Sequence, residues 1–280
     1  ELTDKFQEAY PDQTFDIQIG VESESTAKDT VLTDVEAAAD VFSFADDQLT
    51  DLVKAGALLK LDDYADALQL AGKTLDDVKA ANVDGSIEAA SLDGSLYAFP
   101  RAADNGYFLY YDSSVLTEED VASWDSLLAA ADKAGKKVGM TLASGWYNAS
   151  FFYGAGFTTG LNDDGTTSMD WNGTSADGYT GVDVVKGMLE ITGNPAFMAI
   201  ADGDISNQLA SGNLVACVSG TWDGTTAQEV YGDGYAATKL PTFTVGDAQV
   251  QQGSVAGYKF IGVNGYSENS GWAVLLAEYL

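Results

Sequence analysis

The residues of this sequence that could do chemistry include a pair of carboxylates placed after an apolar run. Asp46 and Asp47 closely follow the run that ends at Phe44. In open α/β sheets, ligands bind outside the carboxyl ends of the strands, so this pair could accept hydrogen bonds from a polar ligand. Acidic residues are equally typical of an ordinary helix N-terminus, where they interact favourably with the helix dipole. The pattern leaves both interpretations open.

Two tryptophans at predicted turns are the second group of candidate residues. Trp146 and Trp222 each come a few residues after an apolar strand pattern, which predicts that they lie at strand ends. An indole face beside carboxylates and amides suits a sugar, because the C–H face of the sugar stacks on the ring while its hydroxyls donate to acidic side chains. For each tryptophan, packing of a loop onto the core is the alternative.

The residue types exclude several kinds of chemistry. The sequence has 0 histidines, which removes Ser-His-Asp and Cys-His catalysis and the usual zinc sites. It has no Gly-rich phosphate loop and no dinucleotide fingerprint, which argues against nucleotide hydrolysis and hydride transfer. Two carboxylates could hydrolyse a glycoside, but the sequence context singles out no pair of them. Residues 162–165 (NDDG) lack the ligand spacing of a calcium loop and are typical of a solvated turn, with a cation site as the alternative. We therefore predict no catalytic residue, no metal and no cofactor.

The charge of the chain limits its partners. Lysine and arginine total 13 against 43 aspartates and glutamates, a formal net charge of -30. Nucleic acid and anionic membrane surfaces are recognised by clustered cations, so we predict neither as a partner. No stretch approaches the roughly 18 apolar residues that a membrane span needs, so we predict no direct membrane insertion. Cys217, the single cysteine, lies in an apolar run and is predicted to be a buried small hydrophobe.

The elements that must position these residues alternate between strands and helices. Apolar alternation predicts strands at residues 14–21, 40–44, 107–111, 138–142, 214–218 and 260–263 and near residue 236. Helices are predicted between them, including residues 124–134 with Ser123 as the cap, residues 181–192, and a short helix near residues 205–210. The Asp-Gly pair in residues 92–96 indicates a tight hairpin. This order is typical of an α/β protein with largely parallel sheets. Residues 1–10 and 270–280 resemble interrupted helices, so we expect a piece of a longer protein.

Seven short motifs follow one another along the chain, at residues 39–47 (ADVFSFADD), 51–61 (DLVKAGALLKL), 97–112 (YAFPRAADNGYFLYYD), 123–125 (SWD), 220–222 (GTW), 239–241 (KLP) and 262–264 (GVN). In this order they resemble the extracellular solute-binding proteins of bacterial ABC importers, most closely the maltose/maltodextrin-binding type of family 1. Together they cover essentially the whole chain.

The resemblance implies a fold and a role. The fold is the two-lobed periplasmic-binding-protein-like fold of type II, with residues 1–103 in lobe 1, 104–256 in lobe 2, and 257–280 returning to lobe 1. Each lobe would be a largely parallel sheet flanked by helices, and the lobes would close by a hinge motion over an oligosaccharide in the interlobe cleft. The protein would be a monomeric carrier outside the cytoplasmic membrane, as a cell-surface lipoprotein or in the periplasm, and would deliver its ligand to a membrane permease.

The resemblance also assigns residues to the ligand site. Carried over position by position, the aromatic residues are Phe44, Trp146 and Trp222, the hydroxyl-binding acids are Asp47 and Asp104, and the additional residues with weaker alignment are Glu24, Asn105 and Tyr258. Gln48 stands where maltose-type proteins have a basic residue, and Ser144 where they have an acid. These departures leave the identity of the sugar open.

Three alternatives are kept at this point. A solute-binding protein for a peptide or a polyamine would use the acidic balance, and its binding would weaken with salt. A glycoside hydrolase with two carboxylates would release reducing ends. A surface adhesion protein could keep the fold without transport.

Overall fold

The structure is a computed structural model that describes residues 1–162 and 166–280. The chain divides into two compact units: unit 1 contains Glu1–Asn105 and Ala256–Leu280, and unit 2 contains Gly106–Val255. The turn or cation site predicted at residues 162–165 falls on residues 163–165, which lie outside the described residues. No described helix combines the length and the apolar character needed to cross a bilayer.

Helices and strands occur along the whole described chain. The helices are α1 Leu2–Ala9, α2 Ala27–Thr33, α3 Leu49–Lys54, α4 Ala65–Leu68, α5 Leu75–Ala81, α6 Asp84–Ala89, α7 Trp124–Lys133, α8 Gly145–Gly154, α9 Gly181–Thr192, α10 Ile205–Ala210, α11 Gly224–Tyr231 and α12 Ser270–Tyr279. The strands are β1 Val41–Ala45, β2 Ser91–Leu92, β3 Ser95–Leu96, β4 Ala98–Ala102, β5 Phe108–Asp112, β6 Lys137–Met140, β7 Gly160–Leu161, β8 Thr167–Ser168, β9 Phe197–Ala199, β10 Leu214–Ser219, β11 Tyr235–Thr238, β12 Thr242–Val245, β13 Ala248–Gln251 and β14 Lys259–Val263. Single 3₁₀ turns lie at Asp46–Gln48, Leu61–Tyr64, Gln69–Ala71, Thr221–Asp223 and Gly232–Gly234.

The main sheet of unit 1 has three strands in the order β1-β14-β4, and both pairs are antiparallel. The prediction of a largely parallel sheet is therefore wrong for this unit. The reason is topological, because β4 carries the chain out of the unit and β14 brings it back beside β4. The Asn105 backbone N–H donates to the Gly257 carbonyl at 3.2 Å, so exit and return lie at the same edge and the strands must run in opposite directions.

Local signals place the smaller elements of unit 1. Asp93 and Gly94 both adopt positive φ, 51° and 79°, as the tight turn between β2 and β3 requires. Thr74 begins α5 with a capping box: its hydroxyl accepts from the Asp77 N–H at 3.2 Å, and the Asp77 carboxylate accepts from the Thr74 N–H at 2.8 Å. The core of the unit packs these elements around Phe44 and Phe260, which are fully buried.

Unit 2 has a five-stranded sheet in the order β11-β5-β10-β6-β9. The β10–β6 and β6–β9 pairs are parallel, whereas β5 is antiparallel to both β10 and β11. Four strands therefore share one direction, as the alternation of strands and helices predicted, and β5 opposes them. Every residue of the central strand β10 is buried, including Cys217, which confirms that this cysteine packs as a small hydrophobe; burial raises the pKa of its thiol.

The core of unit 2 includes a polar connection through its largest side chain. Trp124 is fully buried at the start of α7, and its indole N–H donates to Gln252 Oε1 at 2.7 Å. Gln252 in turn donates to Ser150 Oγ at 2.7 Å. Ser123 caps α7 by accepting from the Ser126 N–H at 3.1 Å, as the sequence predicted. These bonds satisfy the buried polar groups and tie α7 and α8 to residue 252.

One predicted strand does not form. Residues 14–21 alternate in polarity, but they adopt no strand and pair with no strand in the part of the chain that the structure describes. The side chains of Ile19 and Val21 are 75% and 101% exposed, so this alternation buries no apolar face. A period of two creates a strand only where a neighbouring strand completes its hydrogen bonds.

Candidate functional site

Four of the predicted site residues lie at one edge of the unit 1 sheet. Ala45 at the end of β1 pairs with Lys259 at the start of β14, and Lys259 pairs with Ala102 at the end of β4. The residues that follow β1 and β4 and that precede β14 therefore share this edge. They include the exposed carboxylates of Asp47 and Asp104 and the half-buried side chains of Asn105 and Tyr258.

Asp46 holds this edge together. Its backbone N–H donates to the Tyr258 carbonyl at 3.1 Å, and its Oδ2 accepts from the Tyr258 N–H at 3.0 Å. Its Oδ1 accepts from the Asp47 N–H at 3.1 Å. Burial raises the pKa of Asp46, the hydrogen bond from Tyr258 lowers it, and the charge of Asp47 raises it again, with a net upward shift. Asp46 thus bonds the backbone that follows β1 to the backbone that precedes β14, whereas Asp47 is the exposed member of the pair.

Glu24, which the sequence proposed as a ligand residue, is surrounded by protein partners. Its Oε1 accepts from Arg101 Nη1 at 2.7 Å and from Ser43 Oγ at 2.8 Å, and Lys259 Nζ lies 3.6 Å from its Oε2. Its carbonyl accepts from the Nε2 of the buried Gln48 at 2.6 Å. The side chain of Glu24 is 24% exposed. Sequence reasoning did not identify Arg101 as a partner, because the two residues are 77 positions apart.

Phe44, which the sequence proposed as a ligand residue, is buried in this structure. It is 0% exposed, and its ring packs against Phe42 and Phe260 with centroid distances of 5.7 and 5.8 Å. A contact between Phe44 and a ligand stays a prediction, and the buried position does not favour it. Alternate side chains of a strand point to opposite faces, and the position of Phe44 in β1 places its ring in the core of unit 1.

Both predicted tryptophans lie in unit 2, within one aromatic cluster. Trp146 is the second residue of α8, and its ring centroid lies 5.9 Å from that of Trp222 at an interplanar angle of 42°. Trp146 also makes edge contacts with Tyr107 and Tyr147 at 4.6 and 4.9 Å. The Tyr107 hydroxyl donates to the Trp146 carbonyl at 2.8 Å. Trp222 is 43% exposed, whereas the two tyrosines are buried and raised no sequence signal of their own.

Gly220 allows Trp222 to take this position. A Cβ added at Gly220 would lie 2.2 Å from both Cζ3 and Cη2 of the Trp222 ring, so the indole lies directly over the glycine backbone. The Gly220 carbonyl accepts from the Tyr110 hydroxyl at 3.1 Å and from the Asp223 N–H at 3.2 Å. The glycine of the GTW motif is therefore required by the close approach of its own tryptophan.

Asp223 anchors the other side of the same turn. Its carboxylate is buried, accepts from Ser219 Oγ at 2.5 Å, and is hydrogen-bonded by Ser206 Oγ. Bonds to a charged acceptor are stronger than neutral ones, and they satisfy a carboxylate that burial would otherwise penalise. Hydrogen bonds thus hold the 3₁₀ turn that carries the half-exposed indole of Trp222 on both sides.

A metal site or a cavity among the described residues could also bind a ligand. No group of three or more acidic or cysteine side chains within residues 1–162 and 166–280 could hold a metal ion. A cavity of about 570 Å³ in unit 2 is lined mainly by apolar residues, including Phe152, Trp171, Val185 and Leu189, and by none of the predicted site residues. The arrangement offers aromatic surface in unit 2 and hydrogen-bonding groups in unit 1.

Comparisons with known proteins give a consistent result. The family model for bacterial extracellular solute-binding proteins matches residues 1–280. A protein solved with acarbose is 30% identical, with 100% of this chain and 69% of that chain covered and a TM-score of 0.82. The maltodextrin binding protein MalE1 from L. casei BL23, solved without ligand, is 26% identical, with 99% and 69% covered and a TM-score of 0.70. The GacH receptor of Streptomyces glaucescens GLA.O, at 20% identity, 99% and 70% coverage and a TM-score of 0.73, shares the fold. No curated protein matches the chain in sequence.

Proposed function

The chain belongs to the family of bacterial extracellular solute-binding proteins, and we propose that it is the substrate-binding component of an ABC importer for an oligosaccharide of the maltodextrin class. The observation that carries the proposal is the supported, 43% exposed Trp222 beside Trp146. Aromatic faces of this kind suit the C–H faces of sugar rings. The similarity to a protein solved with acarbose and to a maltodextrin binding protein supports the same ligand class.

In this proposal the two units supply different interactions to the ligand. Trp146 and Trp222 stack on sugar rings, while Asp47 and Asp104 accept hydrogen bonds from hydroxyls, with Asn105 and Tyr258 as further polar contacts. Hydroxyl-binding groups discriminate strongly, because a ligand that lacks the matching hydroxyl leaves a desolvated acceptor unpaired. Glu24, whose side chain is 24% exposed, is kept among the residues of the proposed site.

The proposed role is capture and delivery without chemical conversion of the ligand. The lobe boundaries inferred from the sequence, 1–103, 104–256 and 257–280, and a ligand-driven shift toward a closed form remain part of this proposal. So do a monomeric carrier outside the cytoplasmic membrane and a membrane permease that receives the sugar.

A calorimetric and thermal-shift screen tests the proposed function. The protein is titrated with maltose, maltotriose and maltotetraose, with xylo-, manno- and fructo-oligosaccharides as alternative sugars and with a polyamine as a cationic control. We expect saturable heat and a rise in Tm with the maltodextrins, because a ligand that binds only the folded state stabilises it by mass action.

The same samples separate a carrier from an enzyme. Chromatography of maltotetraose after prolonged incubation should return the intact sugar, and release of shorter sugars would contradict the carrier role. Absence of binding to every maltodextrin, together with salt-sensitive binding of the polyamine, would overturn the sugar proposal in favour of a cationic ligand.

A further inference from the structure

Arg101 is the one arginine in the sequence, among 13 cationic residues. It lies in β4, at the edge of the unit 1 sheet that carries Asp47 and Asp104. Ala102 pairs with Lys259 and Pro100 pairs with Phe260, so Arg101 is an extra residue in β4 opposite two consecutive residues of β14. A bulge of this kind bends the strand and turns the side chain of the extra residue, and such bulges are frequent near functional sites.

The contacts of Arg101 hold the guanidinium without covering it. Its Nη1 donates to Glu24 Oε1 at 2.7 Å and lies 3.3 Å from Ser43 Oγ. Ser43 also donates to Glu24 at 2.8 Å, so the three side chains form a closed triangle. The Arg101 side chain is nevertheless 51% exposed, against 24% for Glu24. Within residues 1–162 and 166–280, Nε and Nη2 have no hydrogen-bond partner.

We propose that Arg101 is a ligand-contacting residue that donates hydrogen bonds to sugar oxygens, and that Glu24 and Ser43 are positioning residues that orient it. This inference rests on the proposed function. A guanidinium carries five N–H donors in a planar fork, so one nitrogen can be anchored to Glu24 while the others face a ligand. Asp47 and Asp104 at this edge supply acceptors, and Arg101 supplies the donors that a sugar also needs, because each hydroxyl both donates and accepts.

The test is a calorimetric titration of maltotetraose into the wild-type protein and into Arg101→Met, Arg101→Lys and Glu24→Gln. Methionine keeps much of the apolar stem and removes every donor, so we expect its affinity to fall about 10- to 100-fold, as for loss of hydrogen bonds from a charged group. Lysine keeps the charge but not the fork, and we expect a smaller loss. Glu24→Gln keeps the shape of the anchor, and we expect the smallest loss of the three.

Lys54→Met is the matched control, because it removes an exposed cation from unit 1 at the end of α3. It should bind maltotetraose as the wild type does. The Tm of each unliganded variant separates binding from stability, because a purely structural role would lower Tm without changing the affinity of the folded protein.

Each pattern of results decides the matter. Wild-type affinity in Arg101→Met would overturn the inference and leave the proposed function standing. A larger loss in Glu24→Gln than in Arg101→Met would overturn it in favour of Glu24 as the contact. If the loss of affinity in Arg101→Met disappears at high salt, the inference is also overturned. Salt screens the effect of a distant charge, but it does not screen direct hydrogen bonds to a neutral sugar. Failure of the wild type to bind any maltodextrin would overturn the inference and the proposed function together.

Discussion

The candidate residues of the two units are held in place by different forces. In unit 2, Trp222 lies over the backbone of Gly220 and beside the ring of Trp146, and buried aromatic packing supports the cluster. In unit 1, the sheet edge that carries the candidate residues is stabilised by ion pairs between Glu24 and two cations and by hydrogen bonds to the half-buried carboxylate of Asp46.

Under the proposed function, the two units would offer a sugar different interactions. Packed aromatic rings are insensitive to salt and to pH, so unit 2 would offer a stacking surface whose contribution depends on contact area. Charged groups in unit 1 would offer directional hydrogen bonds, which distinguish one sugar from another. We therefore expect changes in unit 2 to alter affinity for all sugars of a series and changes in unit 1 to alter selectivity.

The largest expected effect concerns Phe44, the candidate aromatic residue that lies in the core of unit 1. Phe44→Ala should lower the free energy of unfolding by about 3–5 kcal/mol, because it leaves a cavity in the core of unit 1. Urea unfolding followed by tryptophan fluorescence measures this change. Phe44→Leu, which fills much of the same volume, should keep the sugar affinity of the wild type. A large loss of affinity in a stable Phe44→Leu protein would support a contact between Phe44 and the ligand.

Next in size is the effect of removing the exposed indole of unit 2. Trp222→Ala should weaken sugar binding by about 1–3 kcal/mol, because an aromatic contact with the ligand is lost. Calorimetry with each member of the maltodextrin series should give similar losses. Tyr266→Ala, which removes a 50% exposed ring from unit 1, is the control and should bind normally. Equal affinity of folded Trp222→Ala and wild type would remove Trp222 from the proposed site.

A matched pair of helix caps compares the stability of the two units. Thr74→Ala in unit 1 and Ser123→Ala in unit 2 should each cost about 1 kcal/mol, the usual effect of losing an N-cap hydroxyl. Urea unfolding at neutral and acidic pH measures both.

The two costs should differ in their dependence on pH. Hydrogen bonds from Thr74 lower the pKa of Asp77. This contribution is present above the unfolded pKa and is lost as the pH falls through the folded pKa, so the cost of Thr74→Ala should shrink in acid. The cost of Ser123→Ala should stay constant, because its partner Ser126 does not titrate in this range. If the stability costs of Thr74→Ala and Ser123→Ala change equally with pH, the predicted difference between the two caps is contradicted.

The smallest expected effect concerns Asp46, whose carboxylate accepts from the Tyr258 N–H in unit 1. Because burial raises the pKa of Asp46, its ionisation disfavours the folded state, and stability is lost as the pH rises from the unfolded pKa through the folded pKa. Asp46→Asn keeps an oxygen for the Tyr258 N–H and does not ionise. It should match the wild type below about pH 4 and become more stable than the wild type toward neutral pH. Urea unfolding midpoints at both pH values measure this difference, and Asp63→Asn, at an exposed position, is the control. If Asp46→Asn is less stable than the wild type at neutral pH, the negative charge of Asp46 is itself needed for stability.

Much of the local structure could be predicted from the sequence. The pattern in residues 181–192 and 205–210 predicted helices with the limits that α9 and α10 have, and the Asp-Gly pair predicted the β2–β3 hairpin. Local hydrogen bonds and backbone preferences decide such features, so neighbouring residues contain the information. Among the candidate residues, the GTW motif pointed to the exposed Trp222, because a strand followed by glycine and an aromatic residue is a local signal.

Predictions that depended on distant partners fared less well. The alternation of residues 14–21 suggested a strand, but no described strand pairs with it. Phe44 was assigned to the site from its place in a motif, although its ring lies in the core. Arg101 gave no signal, because its bulge exists only through its pairing with β14 and its ion pair only through Glu24.

The sequence by itself determined that this is an α/β protein without histidine chemistry, rich in carboxylates, with capped helices and with aromatic residues at turns, and it carried the resemblance to solute-binding proteins. Only the tertiary structure decided that β14 is the central strand of unit 1, that its sheet is antiparallel, and that Arg101 lies beside Glu24 and Ser43. The physical reason is the range of the interactions. Caps and turns form between neighbours in sequence, whereas the Ser43 hydroxyl meets the Phe260 carbonyl across 217 residues, and only the folded chain brings such groups together.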